Sequence, residues 1–397
     1  MTICFHRFLL FIILAVISFA THASSDTFNF IVLSDIHFDP YNDCVNKRPC
    51  PLIEKLRNNP AEKWPDLLRQ YNIELPRFRE NTNYRLLTSA LSAAKNTAEK
   101  NQAKFVLVLG DSLAHGYRSK YKRFSTDKSA ANYSSFARKT LEFLTRQLAT
   151  AFPSIDVYNV VGNNDSYSGD YVIKPNSQFF NEAGNIWSRL IKNSANMQNQ
   201  FSYAGYYSLT LQQPQNLRLI VMNTNLFSNK AKGNNLDSVA SQELNWLHAE
   251  LQKAKAANQV VLIAIHIPEG IDFYATRRTR LFRLFSLWKS QYIDRFQSEL
   301  KQFAPQIKGI FAGHIHRNWF QVLDFDDGEI PVIGVTSVSP IFGNQPGFAN
   351  ISYFLQPIHL DSFSTYSFPL QGTAWIQHAG NYDKLMARIN YKDYQHE

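Results

Sequence analysis

Five short apolar runs, at residues 28–34, 105–109, 157–161, 260–265 and 307–312, each lead into a cluster of histidine, aspartate or asparagine. The clusters read Asp35-Ile-His37, Gly110-Asp111, Gly162-Asn163-Asn164-Asp165, Ala264-Ile-His266 and Gly313-His314-Ile-His316. Short runs rich in β-branched residues read as buried strands. Ligands bind beyond the carboxyl ends of strands in α/β sheets, so polar clusters placed there can converge on one site. Imidazoles, carboxylates and amide oxygens gathered in number are ligands for divalent metal. The pattern predicts a metalloenzyme.

Between the runs, apolar residues recur at helical spacing over 84–100, 135–151, 241–256 and 289–303. In the third of these Leu244, Leu247 and Leu251 share one face. Strand–helix alternation predicts an α/β sheet with helices outside it. Residues 165–217 are rich in Asn, Gln and Tyr and read as an irregular capping insertion. A chain of 397 residues can hold two ordinary domains or one large α/β unit. No linker is evident, so one catalytic domain is expected over 24–370, followed by a tail at 371–397 that ends in a short polar helix.

The first 23 residues carry His6 and Arg7, an apolar stretch at 8–17 and small residues Thr21 and Ala23 before Ser24. That is the layout of a cleavable secretory signal, too short for a comfortable membrane span of roughly 18–20 residues. A retained anchor is the alternative. No later segment could cross a bilayer. Secretion or export to a periplasm is therefore expected. Beyond Cys4 the chain keeps only Cys44 and Cys50, in one short loop. An even pair in an exported protein reads as a disulfide rather than as two soft metal ligands. The formal charge of +9 suits an anionic substrate or surface, but no basic run is long enough for a nucleic-acid-binding tail, and no such module is expected. Nothing points to an obligate protein partner.

Taken singly, Asp-x-His or His-x-His is weak evidence, because a lone histidine is more often a satisfied core or surface residue. Five such motifs in order, each after a strand, are not readily coincidental. Two divalent ions about 3.5–4 Å apart need a bridging carboxylate and enough imidazole, carboxylate and amide donors to complete both shells.

Asp-x-His, Gly-Asp, Gly-Asn-x-Asp, His and Gly-His-x-His in this order resemble the signature of the calcineurin-like metallophosphoesterases. The resemblance covers roughly residues 28–350. It implies a four-layer α/β fold, two packed mixed β-sheets flanked by helices, with a dinuclear metal centre at the strand ends. By matching positions, Asp35, His37 and His316 would hold one metal, Asn163, His266 and His314 the other, and Asp111 would bridge them. A metal-bound hydroxide would attack phosphorus in line with the leaving group. Zinc is the ion the resemblance suggests, with manganese and iron as alternatives. The stretches from Asp35 to Tyr41, Gly110 to His115, Gln242 to Leu247, His266 to Asp272 and Ser339 to Phe348 resemble the acid sphingomyelinase-like phosphodiesterases. Ala114 stands where the purple acid phosphatases place a tyrosine ligand, so an iron–tyrosinate centre is not expected. The six-cysteine saposin-like module of acid sphingomyelinase is missing.

One departure bears on mechanism. The family usually carries Gly-Asn-His-Asp/Glu, with that histidine as proton donor to the leaving group. Here the position is Asn164, followed by Asp165, and an amide cannot be a general acid. His115, four residues past Asp111, matches another active-site histidine of the sphingomyelinase-like branch and is expected to take or share the acid role. The other reading of His115 is a supporting or surface residue. Asn164 and Asp165 complete the expected catalytic set. The Arg-rich stretch 277–283 reads as a solvated helix face, or as a grip on phosphate or a lipid surface. Tyr167 and Tyr171 read as packing or as stacking platforms. His22, His248 and His378 match no motif and read as structural. The expected activity is an exported dinuclear-metal phosphodiesterase for anionic small phosphodiester or nucleotide-type substrates. The alternatives are a lipid-directed sphingomyelinase-like enzyme in contact with membrane, a broad phosphomonoesterase, and a non-catalytic binding protein.

Overall fold

The computed structural model describes residues 27–44, 48–71, 74–279 and 283–381. The expected signal segment, His22 included, lies outside the described residues. Strands β1 (Thr27–Leu33), β2 (Phe105–Val108) and β3 (Asp156–Asn159) run parallel along one side of the first sheet, with β3 at its edge. Their register pairs Ile31 with Val106 and Phe105 with Asp156, which brings the first three motifs out side by side. The second sheet holds β4 (Tyr207–Thr210), β5 (Leu217–Val221), β6 (Val260–Ile265), β7 (Ile307–Ala312), β8 (Trp319–Phe325) and β9 (Gly328–Gly334), in the order β4-β5-β6-β7-β9-β8. Its middle strands are parallel, and Ile265 pairs with Ala312, so the last two motifs also emerge level. The chain then returns to the first sheet as β10 (Gly347–Leu355), β11 (Ile358–Ser367) and β12 (Ile376–Asn381), giving the order β12-β11-β10-β1-β2-β3.

The two mixed sheets pack face to face through aromatic residues. Phe30 on β1 stacks on Phe105 at 4.5 Å and meets Phe311 of β7 edge-on at 5.2 Å. Tyr353 on β10 donates to the carbonyl of Lys308 across the same interface at 2.9 Å. Such runs are buried on both faces, which is why they read as continuous apolar stretches rather than alternating ones. Helices cover the outer faces. Tyr84–Lys100 starts at Asn83, whose side chain accepts from the Leu86 N–H at 3.0 Å, and buries Leu87, Ala90, Leu91 and Ala94 at helical spacing. The four expected helices are present as Tyr84–Lys100, Ala130–Ala151, Leu236–Ala256 and Ser290–Gln302. Among the described residues no helix is long and apolar enough to cross a membrane.

Two expectations differ from the structure. The segment 165–217 is not irregular: it contains helices Gln178–Trp187 and Ala195–Ala204 and strand β4. Phe179, Phe180, Ala183, Ile186, Met197 and Phe201 form its buried faces, masked in the sequence by the surrounding Asn and Gln. The tail expected to begin at 371 continues the sheet with β12, which pairs Ser362 with Asn381 and Ser367 with Ile376. The polar helix expected beyond it lies outside the described residues. Cys44 and Cys50 form a disulfide, closing the loop that follows the first motif.

Candidate metal centre

All five motifs meet where the strand ends of the two sheets face each other. The first sheet supplies Asp35 and His37 after β1, Asp111 after β2 and Asn163 after β3; the second supplies His266 after β6 and His314 and His316 after β7. The chain must turn sharply to aim these side chains inward. Asp35, His37, Asp111, His314 and His316 all adopt left-handed backbone conformations, with φ between 44° and 69°. Non-glycine residues rarely do so, and clusters of them mark functional sites. Gly162 answers a different need, close approach: a Cβ there would lie 2.0 Å from the Asp111 backbone nitrogen.

Two imidazoles have their orientation fixed by backbone carbonyls. His37 Nδ1 lies 3.0 Å from Leu113 O, and His266 Nδ1 lies 2.7 Å from Leu109 O. Each Nδ1 therefore carries its proton, and each Nε2 faces the centre. His37 Nε2 is 3.2 Å from His316 Nε2 and 3.7 Å from Asp35 Oδ1, and His316 Nε2 is 3.2 Å from that same oxygen. Asp35 Oδ1 is buried with no hydrogen-bond partner among the described residues, whereas Oδ2 accepts from Ser34 Oγ and from the His314 N–H. On the other side His266 Nε2 lies 3.0 Å from Asn163 Oδ1, and the ligand atoms of Asp111, His266 and His314 sit within 4.8 Å of one another. Asp111 Oδ2 is 3.4 Å from both His37 Nε2 and His266 Nε2. Donors about 2.1 Å from one tetrahedral ion lie roughly 3.4 Å apart, close to the 3.0–3.7 Å separations among His37, His316, Asp35, Asp111, His266 and Asn163. Asp111 lies between the two groups.

The charges are mutually dependent. Burial alone would raise Asp35, but the facing His316 and His37 rings hold its carboxyl well below the usual range. Burial likewise opposes ionisation of Asp111, and His266 and His37 outweigh it. Burial disfavours a charged His266, yet Asp111 raises its pKa to about 9; His37 is raised by Asp111 and Asp35 against the same burial. Burial, with His266 second, pushes His314 down to about 3. A buried nest of anionic oxygens and lone-pair nitrogens at this spacing is the donor chemistry that accepts zinc, manganese or iron.

His115 joins this group. Its ring stacks on His37 at 4.2 Å and meets Phe342 edge-on at 5.3 Å, and its Nε2 is buried without a partner among the described residues. Burial, then His37, push its pKa down to about 2, which leaves the ring neutral with one N–H. Asn164 turns toward Asp111 and donates to both its oxygens, from its backbone N–H and from Nδ2. Asp165, expected with the catalytic residues, has both oxygens engaged elsewhere: they accept from the Leu113 and Gly162 N–H groups at 3.1 and 2.9 Å. It pins the loop rather than facing the centre. Burial and the Asp111 charge push Asp165 up to about 7.

A cleft of about 370 Å³ opens over His115, His314 and His316, walled by Asp170, Tyr171, Asp272, Tyr274, Arg278 and Phe342. Tyr171 and one arginine of the 277–283 stretch are thus at the cleft, whereas Tyr167 faces away and donates to Glu182 at 2.7 Å. Asp170, Tyr274 and Phe342 were not singled out from the sequence as candidates. They sit outside the metal motifs, and only the folding of their loops toward the site reveals them. His248 pairs with Glu299 at 2.7 Å and His378 with Ser367 at 3.0 Å, both away from the centre.

The family model for calcineurin-like phosphoesterases matches residues 28–318. The chain belongs to that family. Among curated proteins it is similar to sphingomyelinase phosphodiesterase D of Dictyostelium discoideum, 26% identical over 297 residues, with 73% of this chain and 61% of that protein covered. It is similar to the cyclic GMP-AMP phosphodiesterase of Bos taurus, at 27% over 280 residues, 68% of this chain and 57% of that one. The acid sphingomyelinase-like phosphodiesterase 3b of Homo sapiens aligns at 24% over 327 residues, 80% of this chain and 64% of that one. The chain therefore spans about three-fifths of the length of these relatives. As a calcineurin-like phosphoesterase it carries the two mixed sheets of the family fold, and its curated relatives lie in the acid sphingomyelinase-like branch.

Proposed function

We propose that the chain is an exported, metal-dependent phosphodiesterase that hydrolyses small phosphodiester or nucleotide-type substrates. The observation that carries this reading is the position of Asp111 Oδ2, equidistant at 3.4 Å from an imidazole of each donor group. Asp35, His37 and His316 would hold one divalent ion, Asn163, His266 and His314 the second, and Asp111 would span both. Such ions supply a water nucleophile at neutral pH and neutralise charge on phosphoryl oxygens. The residues do the rest. Leu109 and Leu113 carbonyls keep two rings aimed inward, and Asn164 holds the bridging carboxylate in place. His115 offers its hydrogen to the leaving oxygen. To act as an acid the ring must first be protonated, which a bound phosphoryl anion beside it would favour and bound metal ions would oppose. The named activities of the relatives, on sphingomyelin-type and cyclic dinucleotide phosphodiesters, favour a diester over a monoester. The Cys44–Cys50 disulfide favours an oxidising compartment, in keeping with export.

A lipid-directed enzyme is the second reading, because Ile271 and Leu284 are 52% and 68% exposed and Phe342 is exposed at the cleft itself. The test is steady-state hydrolysis of bis-p-nitrophenyl phosphate against p-nitrophenyl phosphate after metal stripping and zinc or manganese add-back. Metal-dependent preference for the diester is expected. Preference for the monoester would replace the reading with a general phosphatase. Turnover confined to sphingomyelin vesicles would establish the lipid-directed one.

A further inference from the structure

A second cavity, of about 480 Å³, lies on the far side of the third motif. It is bounded by the loop that carries Asn163, by Arg118 and by the first turn of the helix Gln178–Trp187. It shares two residues with the cleft over the metal centre, Asn163 and Tyr171. Tyr171 stands between the two spaces on a left-handed backbone, φ 62°, with the Lys230 ammonium 5.8 Å from its ring.

The lining is electropositive. Arg118 and Lys174 contribute cations. Among the described residues the one carboxylate lining it is Asp165, and both its oxygens are already taken by backbone N–H groups. Ser177 begins the helix Gln178–Trp187 without capping it through its side chain, so the N–H groups of the first turn are left for another acceptor. Two further polar groups lack partners among the described residues. Arg118 donates from Nη1 to Ser168 O at 3.1 Å and lies 5.8 Å from the Tyr133 ring, but its Nε is buried and unpaired. Asn225, 2% exposed, spends its amide nitrogen on Val161 O and Asn223 Oδ1 and leaves Oδ1 unmatched. Unsatisfied buried donors and acceptors are costly unless a ligand or water meets them. Guanidinium, ammonium and helix N–H groups complement phosphate oxygens, and the amide oxygen complements a hydroxyl on the same group or its sugar.

We propose that this chamber is a phosphate-monoester subsite, with Arg118 as its main contact, coupled to the metal centre through Asn163 and Tyr171. Only its link to turnover rests on the phosphodiesterase reading; binding does not. The phosphate has two sources. It is either free inorganic phosphate or the terminal phosphate of a nucleotide-type substrate that reaches past Tyr171.

The experiment titrates the full chain by calorimetry, zinc-loaded and metal-stripped, with inorganic phosphate and with 5′-phosphorylated dithymidylate. Wild type is compared with Arg118→Gln and with Lys174→Gln, whose side chain is exposed. Binding to the metal-stripped protein is expected, weakened at least tenfold by Arg118→Gln and several-fold by Lys174→Gln. Zinc uptake, measured alongside, reports an intact fold; should Arg118→Gln not fold, Lys174→Gln decides. The ratio of kcat/KM for the 5′-phosphorylated dinucleotide over its unphosphorylated form separates the sources. A ratio that collapses in Arg118→Gln assigns the subsite to substrate, and an unchanged ratio with phosphate binding lost assigns it to free phosphate. No binding by wild type, or equal binding by wild type and both variants, overturns the subsite. A wild type that binds phosphate but cleaves no diester overturns the phosphodiesterase reading and leaves the subsite standing.

Discussion

Asn164 grips both oxygens of Asp111: its backbone N–H donates to Oδ1 and its side-chain Nδ2 to Oδ2, each at 2.7 Å. An amide at this position cannot supply a proton, but it can hold that carboxylate rigid. Groups that orient metal ligands typically contribute 10–100-fold to affinity or activity. Asn164→Ala should therefore lower zinc affinity and kcat/KM by about 10–100-fold. Zinc retained after dialysis against a graded chelator series reads the first, and bis-p-nitrophenyl phosphate hydrolysis the second. Wild-type zinc retention in the variant would refute the positioning role.

His115 is predicted to matter in proportion to how poor the leaving group is. General acid catalysis contributes about 10²–10⁴-fold. His115→Ala should lose about that factor on an alkyl phosphodiester. On p-nitrophenyl esters, whose leaving group needs little protonation, it should lose far less. Equal losses on both would show that the ring acts only as packing against His37.

Metal uptake should release protons. His266 is raised to about 9, so its Nε2 holds a proton at neutral pH until metal displaces it, and His37 is raised in the same direction. Zinc affinity should climb from pH 6 to pH 9 and then level off. Calorimetry in buffers of different ionisation enthalpy counts the protons, and no proton release at pH 7 would contradict this account.

Glu243 supplies a pH dependence away from the centre. It is fully buried; Oε1 accepts from the Asn223 N–H at 2.6 Å, and Oε2 has no partner among the described residues. Burial, offset in part by that N–H, pushes its pKa up to about 8 from the ordinary 4.5. A carboxyl raised on folding favours the native state fully below its unfolded pKa, and the benefit is lost as pH rises through the folded value. Thermal stability should fall between about pH 5 and pH 8 in wild type, and Glu243→Gln, which stays neutral, should lose a few degrees less across that range. Parallel slopes in melts of the two proteins would exclude Glu243 as the cause.

Much of this was legible from the chain alone. The five apolar runs forecast β1, β2, β3, β6 and β7, because strands buried on both faces must be continuously apolar. The spacing of Leu244, Leu247 and Leu251 forecast the helix that carries them. What stayed hidden depends on tertiary contact. Nothing in the sequence says that Asp165 spends its oxygens on Leu113 and Gly162 N–H groups, or that Asn164 reaches Asp111. Tyr274 and Phe342 reach the cleft from loops whose local sequence carries no metal-ligand pattern. The helices within 165–217 were obscured because Asn and Gln on their outer faces dilute the apolar period set by Phe179, Phe180, Ala183 and Ile186.

The donor set is divided, with Asp35, His37, Asp111 and Asn163 on one sheet and His266, His314 and His316 on the other. The centre is thus a seam rather than a pocket within either half, and neither half can grasp an ion in the same way alone. A bound metal ion would act as a rivet between the sheets, and its release on warming should track their parting rather than the melting of the outer helices.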